Sequence, residues 1–431
     1  MNSPSAFLHP NLAEGPLRSL DSQRIRALSA ERLTTLLARV RELPFWADRL
    51  KGIAPCLEPF EQLSRIPLLQ KSDLLTEQKQ HPPFGRLFSS FGDGLCRYTQ
   101  TSGTSGNTLR WLDDLPSWQG MLDCWAMCYE MAGVGKLDRL FFPFSFGPFL
   151  GFWTAFEAAT RQGILAVPGG GLSSEARLRM AADVDATVLL GTPSYLIHLG
   201  EKAKEDGTRV PKPRLLIVAG EPGGSIPATR KRLETLWNAR VIDHSGMTEV
   251  GPVTVECVEN PGWLHILESR YLAEILDPQT GLPSDRGELV LTNLGRLSGP
   301  VLRYRTGDLV ERDPNPCPCG FGGMRLKGGI LGRLDDMVFI RGNNFHPQTL
   351  ESILFGLPGL SEYQAVIHQP GGMARLEVIV EPEPGADADL LVDAADRAIR
   401  ERCLFRAEVR ATTPGTLPRT ELKAKRTSVQ S

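Results

Sequence analysis

Between residues 95 and 249 the sequence repeats one pattern that leaves little choice of fold: a short β-rich run ending in a turn of small polar residues. Leu95–Thr99 leads into TSGTSG (101–106), Arg214–Val218 into AGEPGG (219–224) and Ala239–Asp243 into HSGMTE (244–249). Segments of helical length, among them Ser173–Ala182 and Ser194–Lys204, separate the runs, which predicts an α/β sheet. In open sheets of that kind ligands bind beyond the carboxyl ends of the strands, where these turns fall. Three such turns point to a single crevice.

The flanking sequence completes an α/β architecture of two parts. Before the repeat, Gln23–Leu43 places Ile25, Leu28, Leu33, Leu36, Leu37 and Val40 at helical spacing, and Pro44 stops it. After it, the texture changes at GGILGRLDD (328–336). Short strands at Met337–Arg341 and Arg375–Glu381 and a helix at Asp387–Cys403 then read as a compact α+β unit. The expected division is a large domain with mixed sheets over 1–332 and a small C-terminal domain over 333–431.

Charge narrows the class of protein. Forty-eight Lys+Arg against 50 Asp+Glu give a formal net charge of −2, which offers no electrostatic case for nucleic acid or an anionic membrane. The apolar runs are too short to cross a bilayer, and the first residues do not read as a secretory signal. The expectation is a cytoplasmic enzyme or binding protein.

Each motif carries some chemistry. Thr101–Gly106 offers hydroxyls and a backbone able to wrap phosphate oxygens, without the Lys of a P-loop. Thr248 beside Glu249 pairs a hydroxyl with a carboxylate, a hard ligand suited to magnesium near phosphate. Asp308 in YRTGD (304–308) can take both hydroxyls of a ribose, and Arg333 in GRLDD (332–336) can hold a phosphate or ribose. Phe141–Trp153 holds six Phe and one Trp, enough to line a flat apolar slot for an aryl ring, or simply to pack a strand against a helix. Cys257, His265, Cys317 and Cys319 would make a closed, structural zinc shell; buried free cysteines would account for the same thiols.

Taken in order, TSGTSG, AGEP, HSGMTE, YRTGD, GRLDDMVFIRGNNFHP and the terminal PGTLPRTELKAKR resemble the motifs of the adenylate-forming acyl-ligase superfamily. Within it the chain is most similar to phenylacetate–coenzyme A ligases, with further echoes in LPFWADRL (43–50), IPLLQKSDL (66–74) and GTPSYL (191–196). The resemblance implies ATP-dependent conversion of an aryl carboxylic acid (phenylacetate, benzoate or anthranilate type) to an acyl-adenylate, followed by transfer to coenzyme A. A stand-alone adenylating enzyme that loads a carrier-protein phosphopantetheine or another acceptor is the alternative.

Residue roles implied by the resemblance fall on matching positions. Thr101, Ser102, Gly103, Thr104 and Gly106 would form the triphosphate loop. Gly220, Glu221 and Pro222 would flank adenine and the acyl pocket, with Ser245 beside the nucleotide. Thr248 would contact phosphate and Glu249 would bind Mg2+. Asp308 would hold the ribose with help from Arg333. Asp335 matches the hinge about which a mobile C-terminal domain turns, and Lys423 matches the catalytic lysine. Phe144, Phe146, Phe149 and Gly246 would line the acyl pocket. Some members of this ligase group carry the same four zinc ligands, and dimerisation is a family-level expectation. The chain departs from the pattern at Asn107, where the phosphate loop commonly has Lys, at Ser245, where an aromatic residue is frequent, and at Leu422, where Gly is usual.

Overall fold

The structure, a computed structural model, describes residues 17–55, 58–90, 92, 94–101, 108–206, 211–336, 338–340, 343–368, 375–403, 405–419 and 426–430. Its first long helix, Ser22–Val40, opens on Asp21, whose side chain accepts a hydrogen bond from the Arg24 amide, and it buries the expected apolar stripe. It ends at Val40 rather than Leu43. Pro44 starts a second helix, Pro44–Arg49, and holds Leu43 extended (φ −92°, ψ 124°). Proline restricts the residue before it and is well placed in a first helical turn, where its missing N–H is not needed.

Strands β1 (Leu95–Gln100) and β2 (Arg110–Asp114) form an antiparallel pair of their own. The sequence had suggested β1 as a member of the main sheet. Residues 101–109 between them are too few for the crossover of about a dozen or more residues that parallel strands require, so the two strands pair antiparallel.

The main sheet is parallel: β3 (Arg139–Phe142), β4 (Leu165–Pro168), β5 (Val188–Gly191), β6 (Leu215–Val218) and β7 (Arg240–Asp243), in the order β4-β3-β5-β6-β7. Its strands read as unbroken apolar runs because both faces are covered. Leu140, Phe142, Val188, Leu190, Leu215, Ile217 and Ile242 join the core that includes helix Leu115–Ala132. Phe141, Leu189, Leu216, Val218 and Val241 face the other way, into a core with Leu178, Leu199 and Leu233. AGEPGG and HSGMTE thus sit side by side at the carboxyl ends of neighbouring β6 and β7, as expected of a crevice.

A short pair, β8 (Gly246–Met247) and β9 (Gly251–Pro252), leads into a mixed-order antiparallel sheet. It contains β10 (Thr254–Glu256), β11 (Leu264–Ile266), β12 (Tyr271–Leu276), β13 (Arg286–Asn293), β14 (Tyr304–Asp313), β15 (Arg325–Leu326) and β16 (Gly332–Arg333). The path runs β10-β11-β15-β14-β13-β12, with β16 also paired to β14.

Beyond it, β17 (Val338–Ile340) pairs with β18 (Asn343–Phe345). Strands β19 (Leu360–His368), β20 (Arg375–Pro382), β21 (Glu408–Ala411) and β22 (Thr427–Gln430) form a sheet ordered β21-β20-β19-β22. With helices Pro347–Leu354 and Ala388–Cys403 they enclose a separate apolar core drawn from residues 338–405. Contacts that tie this unit to the larger one include Arg232 Nη2, which donates to the Ser361 carbonyl at 2.7 Å, and Gln348 Nε2, which donates to the Ile330 carbonyl at 2.8 Å. Among the described residues no helix is long and apolar enough to cross a membrane.

Candidate active site

In the β8–β9 hairpin, Glu249 lies in the turn between the two strands. Gly246 there faces the Gly251 carbonyl so closely that a Cβ would lie 2.6 Å from its oxygen; the hairpin itself demands glycine at this position. The Glu249 side chain is only 5% exposed, and the Lys71 ammonium approaches it at 3.4 Å. The Tyr304 hydroxyl also bonds to it; burial and the Glu249 charge raise that phenol above its ordinary value. Thr248 is anchored through its backbone, because its carbonyl accepts from Arg296 Nη1 at 2.5 Å. Arg296 and Asp113 are both fully buried, joined by two hydrogen bonds of 2.5 and 2.6 Å, and the guanidinium lies over the Trp111 ring at 4.8 Å.

Asp308 and Arg333 are opposed in the register of β14 and β16. Arg333 Nη1 donates to Asp308 Oδ1 at 3.1 Å and to the Thr306 carbonyl at 2.6 Å, while its Nε and Nη2 each reach Asp335 at 2.9 Å. Burial raises the Asp308 carboxyl against the pull of Arg333. Burial also opposes ionisation of Asp335, but the Arg333 hydrogen bond outweighs it and the carboxyl is lowered. Lys71 lowers it further. Gly307 is left-handed (φ +75°), and a Cβ there would meet Arg333 Nη2 at 2.8 Å.

At the end of β6, Gly220 turns the chain with φ +96°. Glu221 then accepts from the Ser194 amide at 2.7 Å, which joins AGEP to GTPSYL; Pro222 is exposed. Thr101 is buried, its hydroxyl accepting from the Leu109 amide at 3.0 Å. Ser245 is committed to Thr254: its amide donates to the Thr254 hydroxyl at 2.8 Å and the two hydroxyls lie 2.9 Å apart. Ser102, Gly103, Thr104, Gly106, Asn107, Leu422 and Lys423 lie outside the described residues.

The aromatic run divides. Phe141 and Phe142 are buried in β3. Phe144 and Phe146 pack at 5.4 Å, Phe144 meets Phe152 at 5.0 Å, and Phe152 meets Trp125 at 5.9 Å. Trp125 in turn packs against His244 at 4.3 Å, so the aromatic group reaches the HSGMTE turn. Phe149 stands apart from this chain of rings, against Gly147.

On the mixed sheet, Cys257, His265, Cys317 and Cys319 bring four donor atoms within 4.8 Å of one another. The β10–β11 register, Glu256 opposite Leu264, delivers the first two; the loop between β14 and β15 delivers the others. Cys257 and Cys317 sulfurs lie 3.3 Å apart, and Cys319 Sγ is 3.4 Å from His265 Nε2. A tetrahedron with Zn–S bonds of about 2.3 Å has edges of about 3.8 Å, so the donor set has the size and chemistry to hold such an ion. Cys124, Cys128 and Cys403 are buried.

Sequence reasoning missed Lys71, Tyr304 and the Asp113–Arg296 pair. Lys71 lay in a quoted motif, IPLLQKSDL, but nothing local connects it with Glu249.

Residues 342–428 match the AMP-binding enzyme C-terminal domain. Among solved structures, 2-hydroxyisobutyryl-CoA ligase in its postadenylation state with 2-HIB-AMP superposes at TM-score 0.90, with 26% identity, covering 100% of this chain and 95% of that one. The same ligase with 2-HIB-AMP and CoA in the thioesterification state gives 0.70, with 27% identity and coverage of 100% and 96%. The fold and the motif-bearing strand ends therefore define an adenylate-forming acid–thiol ligase. A curated phenylacetate-coenzyme A ligase from Thermus thermophilus is 32% identical over 438 aligned positions, 94% of this chain and 96% of the relative. The chain belongs to the phenylacetate-coenzyme A ligase family.

Proposed function

We propose that the protein activates an aryl carboxylic acid with ATP and transfers the acyl group to coenzyme A. The observation that carries the aryl reading is the chain of rings from Phe146 through Phe144, Phe152 and Trp125 to His244. It ends in the same turn that carries Thr248 and Glu249. Flat apolar walls next to a few polar groups are how such pockets orient a planar substrate.

A carboxylate approaching a triphosphate meets like charge, so the site must supply cations. Glu249 would hold Mg2+: its carboxylate already pairs with the Lys71 ammonium, so the position suits a positive charge. Bound there, the ion supplies a hard Lewis acid for phosphate oxygens. Lys71 replaces the charge that Asn107 leaves out of the phosphate loop. Thr101, Ser102, Gly103, Thr104 and Gly106 wrap the phosphates with Thr248, Asp308 and Arg333 hold the ribose, and Gly220, Glu221, Pro222 and Ser245 bound the adenine side. A substrate oxygen attacks the α-phosphorus, the bond to pyrophosphate breaks, and Lys423 neutralises the developing charge. The thiolate sulfur of coenzyme A then attacks the acyl carbon and AMP leaves.

These two steps need different groups at one place. The unit from residue 333 onward would turn about Asp335 between them, withdrawing Lys423. The better superposition on the postadenylation state, 0.90 against 0.70, supports this reading, since the relative differs between its two states while its sequence does not. Turning would break the Arg232–Ser361 and Gln348–Ile330 bonds. Zinc on Cys257, His265, Cys317 and Cys319 would be structural, pinning the β14–β15 loop to β10 and β11.

The test is acid-dependent ATP–pyrophosphate exchange over aryl and aliphatic acids, repeated on Lys423→Ala. Exchange should be lost in the variant, while thioester formation from supplied acyl-adenylate largely survives. Equal damage to both halves would refute the lysine's assignment, and preference for long-chain fatty acids over every aryl acid would refute the slot.

A further inference from the structure

His244 is 6% exposed, and the mechanism above gives it no task. Its ring is fixed on two sides. The ring packs against Trp125, with centroids 4.3 Å apart and planes tilted by 43°. At one edge Nδ1 lies 2.5 Å from the Thr254 carbonyl, which the Cys128 thiol also approaches at 3.5 Å. A carbonyl can only accept, so Nδ1 carries the proton and donates it. Burial lowers the imidazole to about 4, so the ring is neutral at physiological pH and Nε2 presents a bare lone pair.

Among the described residues Nε2 has no hydrogen-bond partner. It belongs to a ring at the end of the aromatic chain, in the same HSGMTE segment as Glu249. A neutral acceptor on an otherwise apolar wall distinguishes ligands by whether they bring a proton to it.

We infer that His244 is a specificity residue: Nε2 accepts a hydrogen bond from a hydroxyl or amino substituent on the acyl group, so the preferred acid carries such a donor. This rests on the acyl-slot assignment made under Proposed function. A methyl group of similar size fills the same space but leaves Nε2 to water, and a methoxy group brings an acceptor against an acceptor.

The experiment is ATP–pyrophosphate exchange by the full chain with matched acids: hydroxy- and amino-substituted benzoates and phenylacetates against their methyl and methoxy counterparts at each ring position. A parallel pair of branched aliphatic acids, hydroxy against methyl, completes the set. The expected result is one ring position at which the donor raises kcat/KM by about 10- to 100-fold over methyl. His244→Leu and the ring-sized His244→Phe should each collapse that ratio to about threefold or less, with the loss falling on the donor-bearing acid. Equal use of donor and methyl acids by the unmodified protein overturns the inference whether or not the variants fold, and so does a ratio that survives in a folded variant. If only the aliphatic acids are turned over, the aryl reading fails separately, and their hydroxy-to-methyl ratio decides the role of His244.

Discussion

The most buried ion pair among the described residues gives the sharpest mutational prediction. Asp113 and Arg296 are both 0% exposed and share two hydrogen bonds of 2.5 and 2.6 Å. Replacing Asp113 with Ala strands a guanidinium under the Trp111 ring with no counter-ion, a change that costs about 3–5 kcal/mol. For a cooperative unit of a couple of hundred residues each kcal/mol moves Tm by about 2–4 °C, so the variant should melt at least ~6 °C lower. Removing both charges, Asp113→Leu with Arg296→Met, exchanges the pair for apolar volume and should recover most of that loss. The third arm of Arg296 separates stability from activity. Its Nη1 holds the Thr248 carbonyl at 2.5 Å, and no apolar side chain can do so. The double variant should therefore regain stability but not pyrophosphate exchange. Thermal melts and exchange rates on the three proteins read both effects. A cost below about 1 kcal/mol for Asp113→Ala, the size of an exposed ion pair, would refute the burial argument. Recovery of exchange together with stability would refute the anchoring of Thr248.

Other measurements follow from single contacts. Lys71→Ala removes the ammonium 3.4 Å from Glu249 and should raise KM for ATP about tenfold while leaving the melting curve nearly unchanged, as expected for a half-exposed charge; an unaltered KM removes Lys71 from the site. The Glu351 carboxyl is pushed up to about 7 by burial, with Glu221 and Glu362 adding to the rise and Arg426 opposing it. Its native form thus keeps a proton that the unfolded chain gives up near 4.5, so its stabilisation falls as pH rises from about 4.5 to 7 and is constant above that; melts of Glu351→Gln should lack this slope relative to the unmodified protein. Metal analysis should find one zinc per chain, and Cys317→Ser with Cys319→Ser should lose it and melt several degrees lower. Zinc well below one per chain in the unmodified protein would retire the site.

What could be read from the sequence was local. The strand ends of β6 and β7 were visible because fully buried runs such as LLIV stop abruptly at Gly and Ser, and the helix Ala388–Cys403 because its apolar residues recur at helical spacing. The ribose-side pair was visible because Asp308 and Arg333 each sit in a glycine turn; the register of β14 and β16 then sets them opposite one another. Periodicity marked β1 as a strand yet could not name its partner, which the shortness of the following connection decides. The Cys257–His265 offset was legible as a spacing, and the β10–β11 pairing brings the two donors together.

The residues that escaped share a different property: each acquires its role only from something distant in the chain that folding sets beside it. Lys71 is an ordinary helix-start lysine until folding sets it against Glu249. Arg296 is one basic residue in a loop until Asp113 and Trp111 enclose it. His244 stood in a motif already read, but its neighbours come from two distant segments, Thr254 from β10 and Cys128 and Trp125 from helix Leu115–Ala132, and the Thr254 carbonyl fixes which nitrogen holds the proton. Composition tells which groups can carry charge or accept a proton, whereas desolvation decides which of them must do so. For that reason the phosphate chemistry could be expected from motifs, while the choice of acid depends on a single uncommitted lone pair that no motif marks.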